Sequence, residues 1–201
     1  ATAEAERFAL VPTIEPTPTL RLVDVVLPGG HTPPINGSST FNFAEVPASL
    51  QSQVASEVFL PVDVARPAPT DETPLRIIIP DIEVDHTIVQ GVDWDALKNG
   101  VGQVTNGATP VDGGRNVVLA AHNDIFGEIF RDIEFLEPGM RFQIQTRTQF
   151  YTYEIREKLF VEPDAVHVMQ DQGVTMATLI SCWPYQVNDR RVIIQAERID
   201  V

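Results

Sequence analysis

Cysteine is almost missing from this chain: Cys182 is the only one in 201 residues. One thiol excludes an intramolecular disulfide framework and leaves the redox compartment undetermined by cysteine count. With no HExxH and with four scattered histidines, no zinc site is expected either. Basic residues are scarce, 14 against 28 acidic, for a formal charge of −14. A phosphate backbone would be repelled, so nucleic acid is not an expected partner. GxGxxG and P-loop patterns are absent, which excludes dinucleotide and nucleoside triphosphate cradles of those kinds. No apolar run approaches the ~18 to 20 residues that span a bilayer, and no signal peptide is read at Ala1. No repeat of ~20 to 50 residues points to a propeller or solenoid.

What is present is a chain 43% hydrophobic, enough for one cored domain with an extension. Of the 16 prolines, 11 lie at or before Pro74. The stretch from Arg66 to Pro74, RPAPTDETP, reads as a linker, because proline-rich polar sequence favours extended geometry and has little to bury. The boundary is placed near Asp71, giving a proline-rich extension over residues 1–70 and a main domain over 71–201. Within the extension, Leu20–Leu27 has strand character, and Leu50, Val54 and Val58 could stripe a short helix. The extension is expected to be partly docked on the main domain.

Beyond Asp71 the signals are those of strands. Leu75–Ile79, Val84–Val89, Asn116–Ala121, Arg141–Thr146, Phe150–Leu159, Ala165–Met169, Val174–Ser181 and Arg191–Ile199 are β-branched or aromatic-rich between Gly, Pro and Asp punctuation. A short helix is predicted at Asp93–Lys98, with Asp93 capping and Leu97 facing inward. About eight strands with one or two short helices predict a mainly β fold, a closed mixed barrel.

The chemistry-bearing residues fall at strand ends. Cys182 ends TMATLIS and is followed by Trp183 and Pro184. A proline cannot donate to a ladder, so pairing should stop there and leave the thiol at a sheet rim rather than in mid-core. His122 ends NVVLAA before the turn-prone pair Asn123 and Asp124, and Arg190 and Arg191 open another strand. Thiol, imidazole and guanidinium are the residue types of thiol acyl transfer. Alternation separates the two arginines: Arg190 shares a face with Val192, Ile194 and Ala196, and Arg191 with Ile193, Gln195 and Glu197. The first set is apolar, so Arg191 is assigned to the outer, functional face, while Arg190 can snorkel to water.

These residues resemble the sortase family of cysteine transpeptidases, whose hallmark is a TLxTC strand followed by an arginine, with a histidine upstream. Here it reads Thr178, Leu179, Ile180, Ser181, Cys182, with Arg191 following and His122 preceding. Ile79-Pro80, Gly91-Val92-Asp93 with Gly100-Val101-Gly102, and Pro138-Gly139 resemble further landmarks, so the similarity covers about residues 74 to 199. Cys-x-Pro after the hallmark is similar to classes D and E. Ser181 stands where threonine is usual, and Ala121 where glycine is common.

The resemblance implies an eight-stranded sortase-like barrel in which Cys182 attacks the carbonyl of a threonine-glycine-like bond in an LPxTG-like sorting signal. His122 would serve as acid and base, and Arg191 would bond the oxyanion or the substrate backbone. It also implies partners: a secreted protein or pilin carrying the signal, and an amine acceptor on cell wall or pilin. The expected place is the extracytoplasmic face of a prokaryotic membrane, with an N-terminal anchor before Ala1 and residues 1–70 as a spacer or a lid. Water in place of the amine would make the enzyme a hydrolase, a thiol protease. No cofactor is expected; calcium, held by loop carboxylates in some sortases, has no EF-hand spacing here and is a minor alternative. His31, His86 and His167 are read as packed or solvated. Papain-type order is reversed, L,D-transpeptidases carry histidine where this chain has Ile180, and caspase-like enzymes call for an α/β sheet. The reading from another class is a noncatalytic extracellular barrel, a binding module with an inert thiol.

Overall fold

The computed structural model describes residues 68–199, so the expected strand at Leu20–Leu27, the helical stripe at Leu50–Val58 and His31 lie outside the described residues. Eight strands follow: β1 (Arg76–Ile79), β2 (Val84–Gln90), β3 (Val101–Gln103), β4 (Asn116–Ala120), β5 (Arg141–Gln145), β6 (Phe150–Val161), β7 (Met176–Trp183) and β8 (Arg190–Arg198). They close into a barrel in the order β1-β2-β3-β4-β7-β8-β6-β5, with β5 returning to β1. Two neighbouring pairs are parallel, β2 with β3 and β4 with β7; the others are antiparallel.

Parallel neighbours require a crossover. Between β2 and β3 it is the single turn of helix α1 (Trp94–Leu97). As the sequence predicts, Asp93 caps it by accepting from the Ala96 amide at 3.1 Å, and Leu97 is buried. Gly91, at φ +104°, turns the chain into this crossover, and its amide donates to Gln103 O at 2.8 Å. A Cβ on Gly102 would stand 2.4 Å from Gly91 O, so the two backbones approach as only glycine permits. Between β4 and β7 the crossover contains the β5–β6 pair.

Strand alternation builds two apolar layers. Inward residues such as Ile77, Ile79, Val117, Leu119, Phe142, Ile144, Tyr153, Leu179, Val192 and Ile194 fill the barrel. A smaller cluster on the outside of β4, β7 and β8 joins Val118, Ala120, Ile180 and Ile193 to Val168. β7 and β8 therefore bury both faces, which is why their sequences read as near-continuous apolar runs.

Two elements differ from expectation. Ala165–Met169 is not a strand: Val166–Met169 forms a 3-10 turn lying on the outer cluster. Its alternating AVHVM mimics a strand, but the Val168 carbonyl is taken by side-chain donors rather than a ladder. The eighth strand is instead β3, three residues with Gly102 at the centre, too short and too weak in β propensity to stand out.

Candidate active site

β4 and β7 pair with a constant offset of 60 residues, from Asn116 opposite Met176 to Ala120 opposite Ile180. The Ala121 amide donates to Ile180 O at 3.2 Å, carrying the pairing beyond the end of β4. His122 follows one residue later, two beyond the end of β4, as Cys182 lies two beyond Ile180. On the other side of β7, Cys182 is the direct partner of Arg191 on β8. Neighbouring strands run about 4.8 Å apart, which brings the Cys182 and Arg191 backbones together, while His122 enters from the segment that follows β4.

Alternation puts Cys182 and Arg191 on one face. Ala121, Leu179 and Val192 belong to the barrel interior, whereas Ala120, Ile180 and Ile193 belong to the outer cluster. His122, Cys182 and Arg191 each lie two residues on, or two before, an outer member. The assignment of Arg191 over Arg190 thus agrees with the register: Arg190 is exposed and meets Glu162 at 3.2 Å. The burial is deeper than a sheet rim implies. Cys182 and His122 are each 2% exposed and Arg191 5%.

Short polar ties hold the loops around this row. Ser181 Oγ donates to Ala121 O at 2.9 Å, joining the residues that precede the thiol and the imidazole. The two departures from the family hallmark are thereby bonded to each other, and the Ala121 methyl packs in the barrel core. Asn123 Nδ2 donates to Cys182 O at 2.9 Å, and Asn188 Nδ2 to Asp124 Oδ2 at 2.7 Å. Arg191 Nη1 donates to the carbonyls of Asn188 at 3.1 Å and Arg190 at 2.9 Å. Phe126, at φ +51°, sets its ring edge-on to His122 with centroids 5.7 Å apart, and Trp94 backs Phe126 at 4.8 Å. Sequence reading found Asn123 only as a turn residue, and it missed Phe126 and Asn188. Side chains that act through loop contacts carry no periodicity to reveal them.

The hallmark threonine lies away from the thiol. Thr178 Oγ1 donates to Asn116 Oδ1 at 2.9 Å, while Asn116 Nδ2 at 3.4 Å and Gln195 Nε2 at 3.2 Å donate to Val168 O. This buried polar row fastens the 3-10 turn over the outer face. Asp171 extends it, accepting from the Asn116 amide at 2.8 Å and pairing with Arg115 at 3.2 Å. Those donors, the Asn116 amide first and Arg115 after it, hold the Asp171 carboxyl below its usual range against the opposing effect of desolvation. Of the other described histidines, His86 and His167 are exposed.

A family model described as a sortase domain matches residues 77–199, from β1 through β8. The chain belongs to the sortase family. It is 30% identical over 128 residues to sortase A of Streptococcus agalactiae serotype III, an overlap of 60% of this chain and 51% of that protein. It is 29% identical over 125 residues to sortase D of Bacillus subtilis, covering 60% and 61% respectively. Among solved structures, sortase C-1 from Actinomyces oris superposes with a TM-score of 0.61 at 30% identity, covering 65% of this chain and 75% of that one. The chain thus spans between about half and three fifths of these curated relatives. They carry the class letters A, C and D, so the match gives the family rather than a class.

Proposed function

We propose that this sortase-family chain is a cysteine transpeptidase of class D/E type that cleaves an LPxTG-like sorting signal and transfers the acyl part to an amine. The reading is supported by the cross-strand pairing of Cys182 with Arg191, with His122 two residues beyond the end of β4, the strand on the other side of β7.

The Cys182 thiolate adds to the carbonyl carbon of the scissile threonine-glycine-like bond. Arg191, charged at any working pH, donates to the developing oxyanion or to the adjacent substrate backbone. The tetrahedral intermediate collapses as the C–N bond breaks, and His122 delivers a proton to the departing amine. A thioester on Cys182 remains. An incoming amine then attacks this thioester, His122 takes its proton, and the thiolate leaves. Water in the amine's place gives hydrolysis instead. None of these steps calls for a metal or cofactor. The partners are a secreted protein or pilin bearing the signal and an amine of cell wall or pilin, met on the outer face of a prokaryotic membrane. Among the described residues no helix is long and apolar enough to cross a membrane, and residues 1–70 serve as a spacer.

A second reading, a noncatalytic barrel with an inert thiol, draws on the 2% exposure of Cys182. Pentapeptides around LPxTG and LAxTG, each offered with several amine acceptors, decide between the two. The transpeptidase reading expects a transfer product from wild type and none from Cys182→Ala. Equal cleavage by both proteins, or none by either with Cys182 inert to alkylation in the folded state, overturns it.

A further inference from the structure

We infer that Asn123 is a positioning residue that fixes His122 against Cys182, an inference that rests on the transpeptidase reading of the same site. His122 lies beyond the last ladder residue of β4, so the β4–β7 pairing alone does not hold it. Two side chains extend that pairing. Ser181 Oγ bonds Ala121 O, one residue before the imidazole, and Asn123 Nδ2 bonds Cys182 O, one residue after it. His122 is bracketed, and the second bracket ends on the backbone of the candidate nucleophile itself.

The Asn123 side chain is otherwise poorly provided for. It is 2% exposed, and among the described residues no donor reaches its buried Oδ1. Burying an amide with half its capacity unmet works against stability, so a residue serving only to fill this space would be better apolar. The one bond it makes supplies what an apolar side chain cannot, a fixed distance between the segment carrying the imidazole and the carbonyl of Cys182. Asp124 and Asn188 tie the same segment to the loop that leads into Arg191, so Asn123 sets the imidazole–thiol distance within an already braced frame. Misplacement of about 1 Å at such a site costs on the order of 100-fold in rate.

The test compares Asn123→Ala with Asn123→Leu, which keeps a side chain of similar length and deletes the donor without adding a charge. Both are expected to lower kcat for peptide cleavage about 100-fold while leaving KM within about threefold, after correction for folded fraction by circular dichroism. The second readout needs no peptide: the rate of Cys182 alkylation by iodoacetamide across pH 5 to 9. Both variants should give a profile shifted from wild type toward that of His122→Ala. Asn123→Leu carries the test if Asn123→Ala does not fold. Wild-type kcat in either folded variant, or an alkylation profile that superposes on wild type, overturns the inference. If wild type cleaves no peptide, the transpeptidase reading fails by itself, and the alkylation profiles still decide whether Asn123 sets the thiol's surroundings.

Discussion

Arg190 and Arg191 are neighbours in sequence with opposite environments, and the contrast gives a sharp test at the residue scale. Arg191 is buried, paired across the ladder with Cys182, and donates to the carbonyls of Asn188 and Arg190. Arg190 is exposed and meets one exposed carboxylate. Arg191→Ala should lower kcat/KM for peptide cleavage by about 2.7 to 4 kcal/mol of transition-state stabilisation, roughly 100- to 1,000-fold. Arg191→Lys should recover little of this, because a single ammonium does not reproduce a planar fork of donors. Arg190→Ala should stay within about 0.5 kcal/mol in stability and about threefold in kcat/KM. Steady-state kinetics on one peptide read all three, and equal losses at 190 and 191 would refute the assignment. The parity of the two arginines was legible in the sequence because a strand alternates strictly, and one clear apolar set beginning at Val192 fixes it. The deep burial of the thiol was not legible. It depends on what covers the outer face, which alternation along a single strand does not show.

At the scale of elements, the outer face depends on one turn held by polar side chains. Thr178 is the donor to Asn116 Oδ1, and both are buried. Thr178→Val keeps the volume but leaves that acceptor without its donor, so stability should fall by about 1 to 3 kcal/mol in urea unfolding. A change below about 0.5 kcal/mol would mean that the row does not bear on stability. Asp171 adds a pH dependence. Its carboxyl is held below its usual range, chiefly by the Asn116 amide at the start of β4. A depressed folded-state value contributes stability that is present above the ordinary aspartate pKa of about 3.9 and is lost as pH falls through the lower folded value. Asp171→Asn should therefore flatten the fall in melting temperature below about pH 4 and leave the profile above pH 6 parallel to wild type. An unchanged acid limb would show that the carboxylate does not contribute. The same region shows where sequence patterns fail. Val166–Met169 alternates like a strand, yet its carbonyl bonds run to side chains of β4 and β8. β3, in contrast, is a strand because its neighbours β2 and β4 supply partners on both sides, not because VGQ favours one. The long apolar runs of β4, β7 and β8 were legible because burial on both faces leaves a continuous signature.

For the whole molecule, the described barrel closes on itself, with β5 returning to β1 and a core drawn from residues between Ile77 and Ala196. Among the described residues, every member of that core lies on the barrel strands or their connections. Asp71 and Glu72 already contact the barrel, Asp71 bonding Arg147 at 2.7 Å and Glu72 accepting from Tyr151 Oη at 3.0 Å. A chain beginning at Asp71 keeps these contacts, so it should fold alone with a cooperative melt. That expectation separates the roles open to residues 1–70. A spacer sets reach from an anchor, and reach is irrelevant to a free pentapeptide in solution, so removing it should leave kcat/KM within about threefold. A lid competes with substrate for the groove beside Cys182. Its removal would raise kcat/KM by the reciprocal of the open fraction, about tenfold if the groove is free one tenth of the time. Side-by-side peptide cleavage by residues 1–201 and 71–201 measures the ratio. With Cys182 only 2% exposed within the described residues, alkylation of the two proteins gives a second measure that is independent of substrate. Parallel gains in both would establish gating by the extension, whereas an unchanged ratio in both assigns the cover of the thiol to the barrel's own segments and residues 1–70 to reach.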